Sequence, residues 1–159
     1  RLAKFELELA PEKTWTLVFG RFARERLAKT GQTPETLEFL GFRHVCGVDR
    51  KGRFAVIRLP CQRSCRSFLN RTKYWLKKHM HASVWEQQRE LSQKLRGFYQ
   101  YFALPHCRKK LSWILREVRR QWRRVLRRRG QRRNRMHWSY LATRAWFQLP
   151  WPRSLHPQV

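Results

Sequence analysis

The sequence predicts an α+β fold in two parts. A small β-rich module containing a hairpin occupies residues 1–60, and an α-helical bundle of three main helices follows. Three observations predict it. Residues that favour strands gather before Pro60, in WTLVF (15–19), TLEFLGFRHVC (36–46) and RFAVIRL (53–59). Beyond Pro60, apolar residues recur at steps of three and four instead. The 159 residues are 42% hydrophobic and 14% aromatic, enough to build a core in one ordinary domain or two small modules.

The β-rich part opens with RLAKFELELA, a helix end or strand that runs into Pro11. WTLVF alternates and is expected to be a strand. RFARERLAKTG is a basic helical turn or loop that stops at Gly31, and TGQTP is turn-like. The runs 36–46 and 53–59 flank GVDRKG, an Asp/Gly turn between two β-rich segments, hence a hairpin.

The helical part starts near Ser64, where Phe68, Leu69, Trp75, Leu76 and Met80 keep a helical period and Lys73, Lys77 and Lys78 lie off it. Ser83 and Glu86 fit a capping box at the start of a second helix. That helix is expected to bury Leu91, Leu95, Phe98 or Tyr99, and Phe102, and to break at Leu104-Pro105-His106. In the third helix, Leu111, Leu115, Val118, Trp122 and Val125 or Leu126 form one apolar stripe. Arg116, Arg119, Arg120, Arg123, Arg124 and Arg127 fall around the rest. A disordered basic tail has no reason to keep this period, so the arginines belong to a folded face. Gly130 is the expected helix stop. Residues 136–159 read as a short helix followed by a Pro-rich extended end.

Charge narrows the partner. Lys and Arg number 37 against 10 acids, a formal net charge of +27. Residues 108–135 hold 14 of the basic groups and one acid, Glu117. Such self-repulsion points to a polyanion, with RNA or DNA first and an anionic membrane surface second. A solvated helix face normally mixes Glu with Lys, and this one does not. Arg dominates, and a guanidinium forks onto two phosphate oxygens as an ammonium does not.

Other chemistry is disfavoured. Asp49 is the only Asp and sits in the turn VDRKGR. Two-metal phosphoryl transfer needs clustered carboxylates, so a complete nuclease or polymerase site is not expected. Cys61-x-x-x-Cys65 is the only close cysteine pair; Cys46 and Cys107 are isolated. With no second tight pair, a zinc site is not expected even with His44, His79, His81 and His106 in the sequence. Buried or idle thiols in a reducing setting are the simpler reading. Arg1 opens the chain, no Met precedes Met80, and no apolar run is long enough to span a bilayer. The chain is expected to be the C-terminal part of a longer protein.

Four segments in order then carry a resemblance. ELAPEKT (8–14), TLEFLGFRHVCG (36–47), KLRGFYQYFAL (94–104) and RRRGQRRNRMHW (127–138) resemble successive landmarks of bacterial group II intron reverse transcriptase/maturase proteins. The closing LPWPRSLHP resembles the Pro-rich ends of forms without an appended endonuclease. The likeness covers nearly the whole chain. It departs at Gln100, Phe102 and Gly130, where the family often has Asn, Tyr and Ser.

The resemblance implies that residues 1–60 are the end of a polymerase palm, that 61–135 are the thumb or maturase-specific domain, and that 136–159 are its C-terminal tail. It implies RNA binding that assists intron folding and splicing and grips a template–primer, in a cytoplasmic ribonucleoprotein, with no membrane partner. The partners would be group II intron RNA or an RNA/DNA template–primer, and the upstream palm and fingers. Lys94 and Arg96 become candidate RNA contacts beside Arg116, Arg119, Arg120, Arg123, Arg124, Arg127, Arg128, Arg132 and Arg133. Leu40 and Gly41 would touch primer backbone, Gly41 by allowing close approach; Phe39 and Phe42 would pack the strand against the helices. Lys13 would support the incoming triphosphate or protonate pyrophosphate. The family's catalytic Tyr-Ala-Asp-Asp segment would lie upstream of residue 1, so Mg2+ is expected only for the longer polymerase. Two alternatives remain: part of an active RNA-directed DNA polymerase, and a membrane-surface or ribosome-associated basic protein.

Overall fold

The computed structural model describes residues 2–6, 8, 10–49, 51–129 and 136–154. Among these the chain is mixed α+β, with a three-stranded antiparallel sheet and five α-helices. Two compact units are present. One comprises Arg1–Leu37 and His44–Ile57; the other comprises Glu38–Arg43 and Arg58–Val159.

The first unit opens with short 3₁₀ turns at Leu2–Phe5 and Pro11–Lys13, then α1 (Ala23–Ala28). The strand expected over 15–19 does not form: residues 14–19 carry no regular structure, and Trp15 is exposed. Strand preference expresses a fit to a pleated, half-buried surface, and this segment gains no such surface. The Asp49 turn forms as expected. One Asp49 carboxylate oxygen accepts from the backbone N–H groups of Lys51 (2.8 Å) and Arg53 (2.9 Å), while the other accepts from Arg53 Nε (2.9 Å). Hydrogen bonding from the Arg53 backbone, foremost, holds the Asp49 carboxyl below the usual carboxylate range.

The sheet runs β1 (Leu37–Phe39), β2 (Phe42–Val48) and β3 (Phe54–Pro60), in that spatial order. The segment 36–46 therefore holds two strands, where sequence pattern suggested one run. Leu40 and Gly41 make the two-residue turn between them, with φ of +47° and +76°. Positive φ at both central residues gives the turn a twist that matches paired strands. Glycine adopts it freely; leucine holds it at a cost of about 1–2 kcal/mol.

The second unit is built on α2 (Gln62–Lys78), α3 (Val84–Phe102) and α4 (Arg108–Arg128), followed by α5 (Trp138–Ala142). The starts of α2 and α3 are capped by side chains. The Cys61 sulfur accepts from the Ser64 N–H (3.4 Å), and the Ser83 hydroxyl accepts from the Glu86 N–H (3.1 Å). A 3₁₀ turn at Pro105–Cys107 makes the expected break between α3 and α4. Gly130, the expected stop of α4, lies outside the described residues.

The apolar stripes meet in one core. Leu91, Leu95, Tyr99 and Phe102 of α3 are buried with Leu111, Ile114, Leu115, Val118, Trp122, Val125 and Leu126 of α4. The C-terminal segment joins the same core through Leu141, Phe147 and Leu149. Phe147 stacks on Trp122, ring centroids 4.8 Å apart. Gln87 is fully buried and accepts from Trp122 Nε1 (2.8 Å) while donating to the carbonyls of His79 (2.6 Å) and Met80 (3.3 Å). That one amide satisfies a buried indole and ties the α2–α3 turn to α4.

Candidate nucleic-acid interface

Opposite its apolar stripe, α4 presents cations. Lys109, Arg116, Arg120 and Arg127 follow at steps of seven, four and seven, which keeps them in one line along the helix. All four are exposed, as are Arg124 and Arg128 beside them. At 1.5 Å per residue, the line from Lys109 to Arg127 extends about 27 Å. The only acid on the helix is Glu117, which pairs with Arg120 Nη1 at 3.2 Å. Arg120 is exposed and Glu117 is partly covered; a pair at the protein surface is worth about 1 kcal/mol, so a phosphate can compete for Arg120.

Two of the expected contacts are engaged elsewhere. The Arg119 guanidinium lies over the Trp151 ring at 5.6 Å, and its Nε is buried with no hydrogen-bond partner. Removal from water lowers the Arg119 pKa from its ordinary value, opposed by the neighbouring Tyr99. Arg123 donates from Nε to the Met136 carbonyl (2.7 Å) and sits over Trp138 at 5.1 Å. The C-terminal segment thus lies along one flank of α4 and takes both arginines as internal partners. Arg129, at the helix end, donates to the carbonyls of His81 and Ala82. Arg132 and Arg133 lie outside the described residues.

A groove of about 920 Å³ runs between α2 and α3, closed at one end by the Leu40-Gly41 turn. The helices are antiparallel along it: Phe68 meets Phe98 (4.4 Å between centroids), and Lys94 lies over Trp75 (5.0 Å). The groove brings Leu40, Gly41 and Lys94 together, three of the residues expected at the site. Arg63, Arg71, Tyr74 and Tyr101 also line it, and sequence reading missed them. A signal was present: Arg63, Ser67, Arg71 and Tyr74 recur at steps of four, four and three on α2. Among the described residues that line the groove none is a carboxylate, although Glu90 pairs with Lys94 at 3.4 Å from the same helix.

The turn is anchored to the helices of its own unit. The Tyr101 hydroxyl donates to the Leu40 carbonyl (2.8 Å), and the Cys61 N–H donates to the Gly41 carbonyl (2.8 Å). A Cβ at Gly41 would come within 3.0 Å of the Ser64 hydroxyl, a tight approach to a side chain that can shift, so glycine is favoured here chiefly by its φ of +76°. Phe42 packs on Tyr101 and Phe102, as expected for the strand. Phe39 does not: it ends β1 with its ring 59% exposed.

The remaining candidates are dispersed. Arg96 is exposed on α3 but does not line the groove. Lys13 closes the Pro11–Lys13 turn of the first unit, and its side chain is outside what is described. The cysteines are free thiols, with Cys61, Cys65 and Cys107 buried and Cys46 half-buried. Among the described residues, no three His, Cys, Asp or Glu side chains are placed to hold a metal ion, and no helix is long and apolar enough to cross a membrane. What the arrangement offers chemically is cation display and ring stacking. Comparison with protein-family models, with curated proteins and with solved structures returned no match.

Proposed function

We propose that this chain binds RNA through the exposed face of α4, as the thumb or maturase part of a group II intron protein. The observation that carries this is the line Lys109, Arg116, Arg120 and Arg127, held outward by a buried apolar stripe and accompanied by a single acid. Each guanidinium that meets a phosphate releases condensed counterions, so a rigid row of them binds a folded RNA strongly without covalent chemistry. In this reading residues 1–60 are the end of a polymerase palm and 61–135 the thumb. The Leu40-Gly41 turn is the primer contact, and Lys94 and Arg96 are further RNA contacts. The partners are intron RNA or a template–primer and the upstream palm and fingers; any Mg2+ chemistry belongs to the longer polymerase. Support comes from the motif order along the chain and from the exposure of Arg116, Arg120, Arg124, Arg127 and Arg128.

The test replaces Arg116, Arg120 and Arg127 together by Ala and measures binding to a structured RNA at fixed salt. Charge-assisted contacts of this kind predict a loss of about 100-fold or more. The melting temperature should change little, since all three side chains are exposed. Unchanged affinity in the folded triple variant would remove α4 as the interface.

A further inference from the structure

The α2–α3 groove has features that gripping a duplex backbone does not use. Tyr101 is 53% exposed yet anchored: its hydroxyl donates to the Leu40 carbonyl (2.8 Å) and its ring stacks on Phe42 (5.5 Å). A ring fixed on one face and open on the other is a prepared stacking platform. On the opposite wall, Tyr74 of α2 is 71% exposed. Between them, Gly97 lies inside the continuous helix α3. Glycine inside a helix costs about 0.5–1 kcal/mol relative to alanine. Among the described residues nothing lies within 4 Å of where its Cβ would be, so none of their packing requires a glycine there. Arg63, Arg71 and Lys94 line the same groove, and none of its described lining residues is a carboxylate.

We propose that this groove takes a short unpaired stretch of RNA. Its bases stack on Tyr101 and Tyr74, its backbone crosses α3 at Gly97, and its phosphates meet Arg63, Arg71 and Lys94. The proposal rests on the RNA-binding reading above and adds a single-strand site to it. Charge selects a polyanion, and the ring platforms select within that class. Paired bases have both faces covered by their neighbours, whereas unpaired bases offer a face to stack on. The open floor at Gly97 lets a sugar–phosphate chain come close to the helix backbone.

Three RNAs test it with the full chain: a blunt duplex, the same duplex with a six-nucleotide adenosine overhang, and the duplex with six abasic units in place of those adenosines. The adenosine overhang should tighten binding about tenfold over the blunt duplex, the effect of one well-stacked base. The abasic overhang, equal in charge, should fall well short of that. Tyr74→Ala should reduce the gain and Gly97→Leu should abolish it, each leaving blunt-duplex affinity unchanged. Both positions are open to solvent, and melting curves confirm that the variants fold. An abasic overhang as effective as the adenosine one overturns the proposal, as does a tenfold gain that survives both substitutions. Equal affinity for blunt and overhung duplexes overturns it too, with RNA binding by α4 left standing. Failure of the unmodified chain to bind any of the three rejects the RNA reading itself.

Discussion

At Gln87 a single side chain carries the polar satisfaction of the core. Its oxygen accepts from Trp122 Nε1 in the buried core, and its nitrogen donates to the carbonyls of His79 and Met80 in the half-buried α2–α3 turn. Gln87→Leu keeps roughly the volume but leaves one N–H and two carbonyls without their partner. An unsatisfied buried group costs about 1–3 kcal/mol, and water can reach part of the turn, so the variant should lose about 2–4 kcal/mol in denaturant unfolding. A loss below 0.5 kcal/mol would mean that the amide is a passenger. Sequence pattern placed Trp122 inward correctly and was silent about Gln87. A polar residue on an apolar stripe shows its purpose only when a partner arrives from 35 residues away.

The long helices were legible because their signals are local. Ser83 capping Glu86, the break at Pro105 and the buried face of α4 each follow from spacing within a few turns. What lands on an element from a distance was not legible. The period of α4 separates its inner face from its outer face. It cannot reveal that Trp138 and Trp151 come to lie over Arg123 and Arg119 on a flank. The two-residue turn at Leu40-Gly41 escaped for a related reason: apolar residues run straight through it, and only the backbone shows the reversal. WTLVF has the composition of a strand without the sheet surface that would make it one. The thiols test the packing of these elements. Burial pushes the Cys107 thiol up to about 11 from an ordinary 9.0 and raises Cys65 as well. At pH 8 the Cys107 thiolate fraction is then about one in a thousand. Iodoacetamide should therefore modify half-buried Cys46 first, and Cys65 and Cys107 only on unfolding. Because the folded form holds the Cys107 proton more tightly than the unfolded form, this thiol's contribution to stability is present below pH 9 and lost between about pH 9 and 11. Rapid labelling of Cys107 at pH 8 in the native protein would contradict this packing.

For the whole molecule, the net charge of +27 bears on association and not on fold. A chain this basic binds many polyanions at low salt, so affinity alone says little about where RNA sits. The dependence of affinity on salt says more, because it counts phosphates neutralised and assigns them to side chains. The structure separates two arginines adjacent in sequence: Arg120 faces solvent, whereas Arg119 is held under Trp151. The most direct measurement is a salt titration of duplex-RNA binding for the unmodified chain, Arg120→Ala and Arg119→Leu. The unmodified chain should show a steep fall of log K with log salt, and Arg120→Ala should reduce that slope by about 0.7–0.9, one phosphate contact. Arg119→Leu, which replaces a half-buried cation by an apolar side chain, should leave the slope unchanged. A shallow slope for the unmodified chain, or equal reductions in both variants, would contradict the claim that the outward face of α4 holds the RNA.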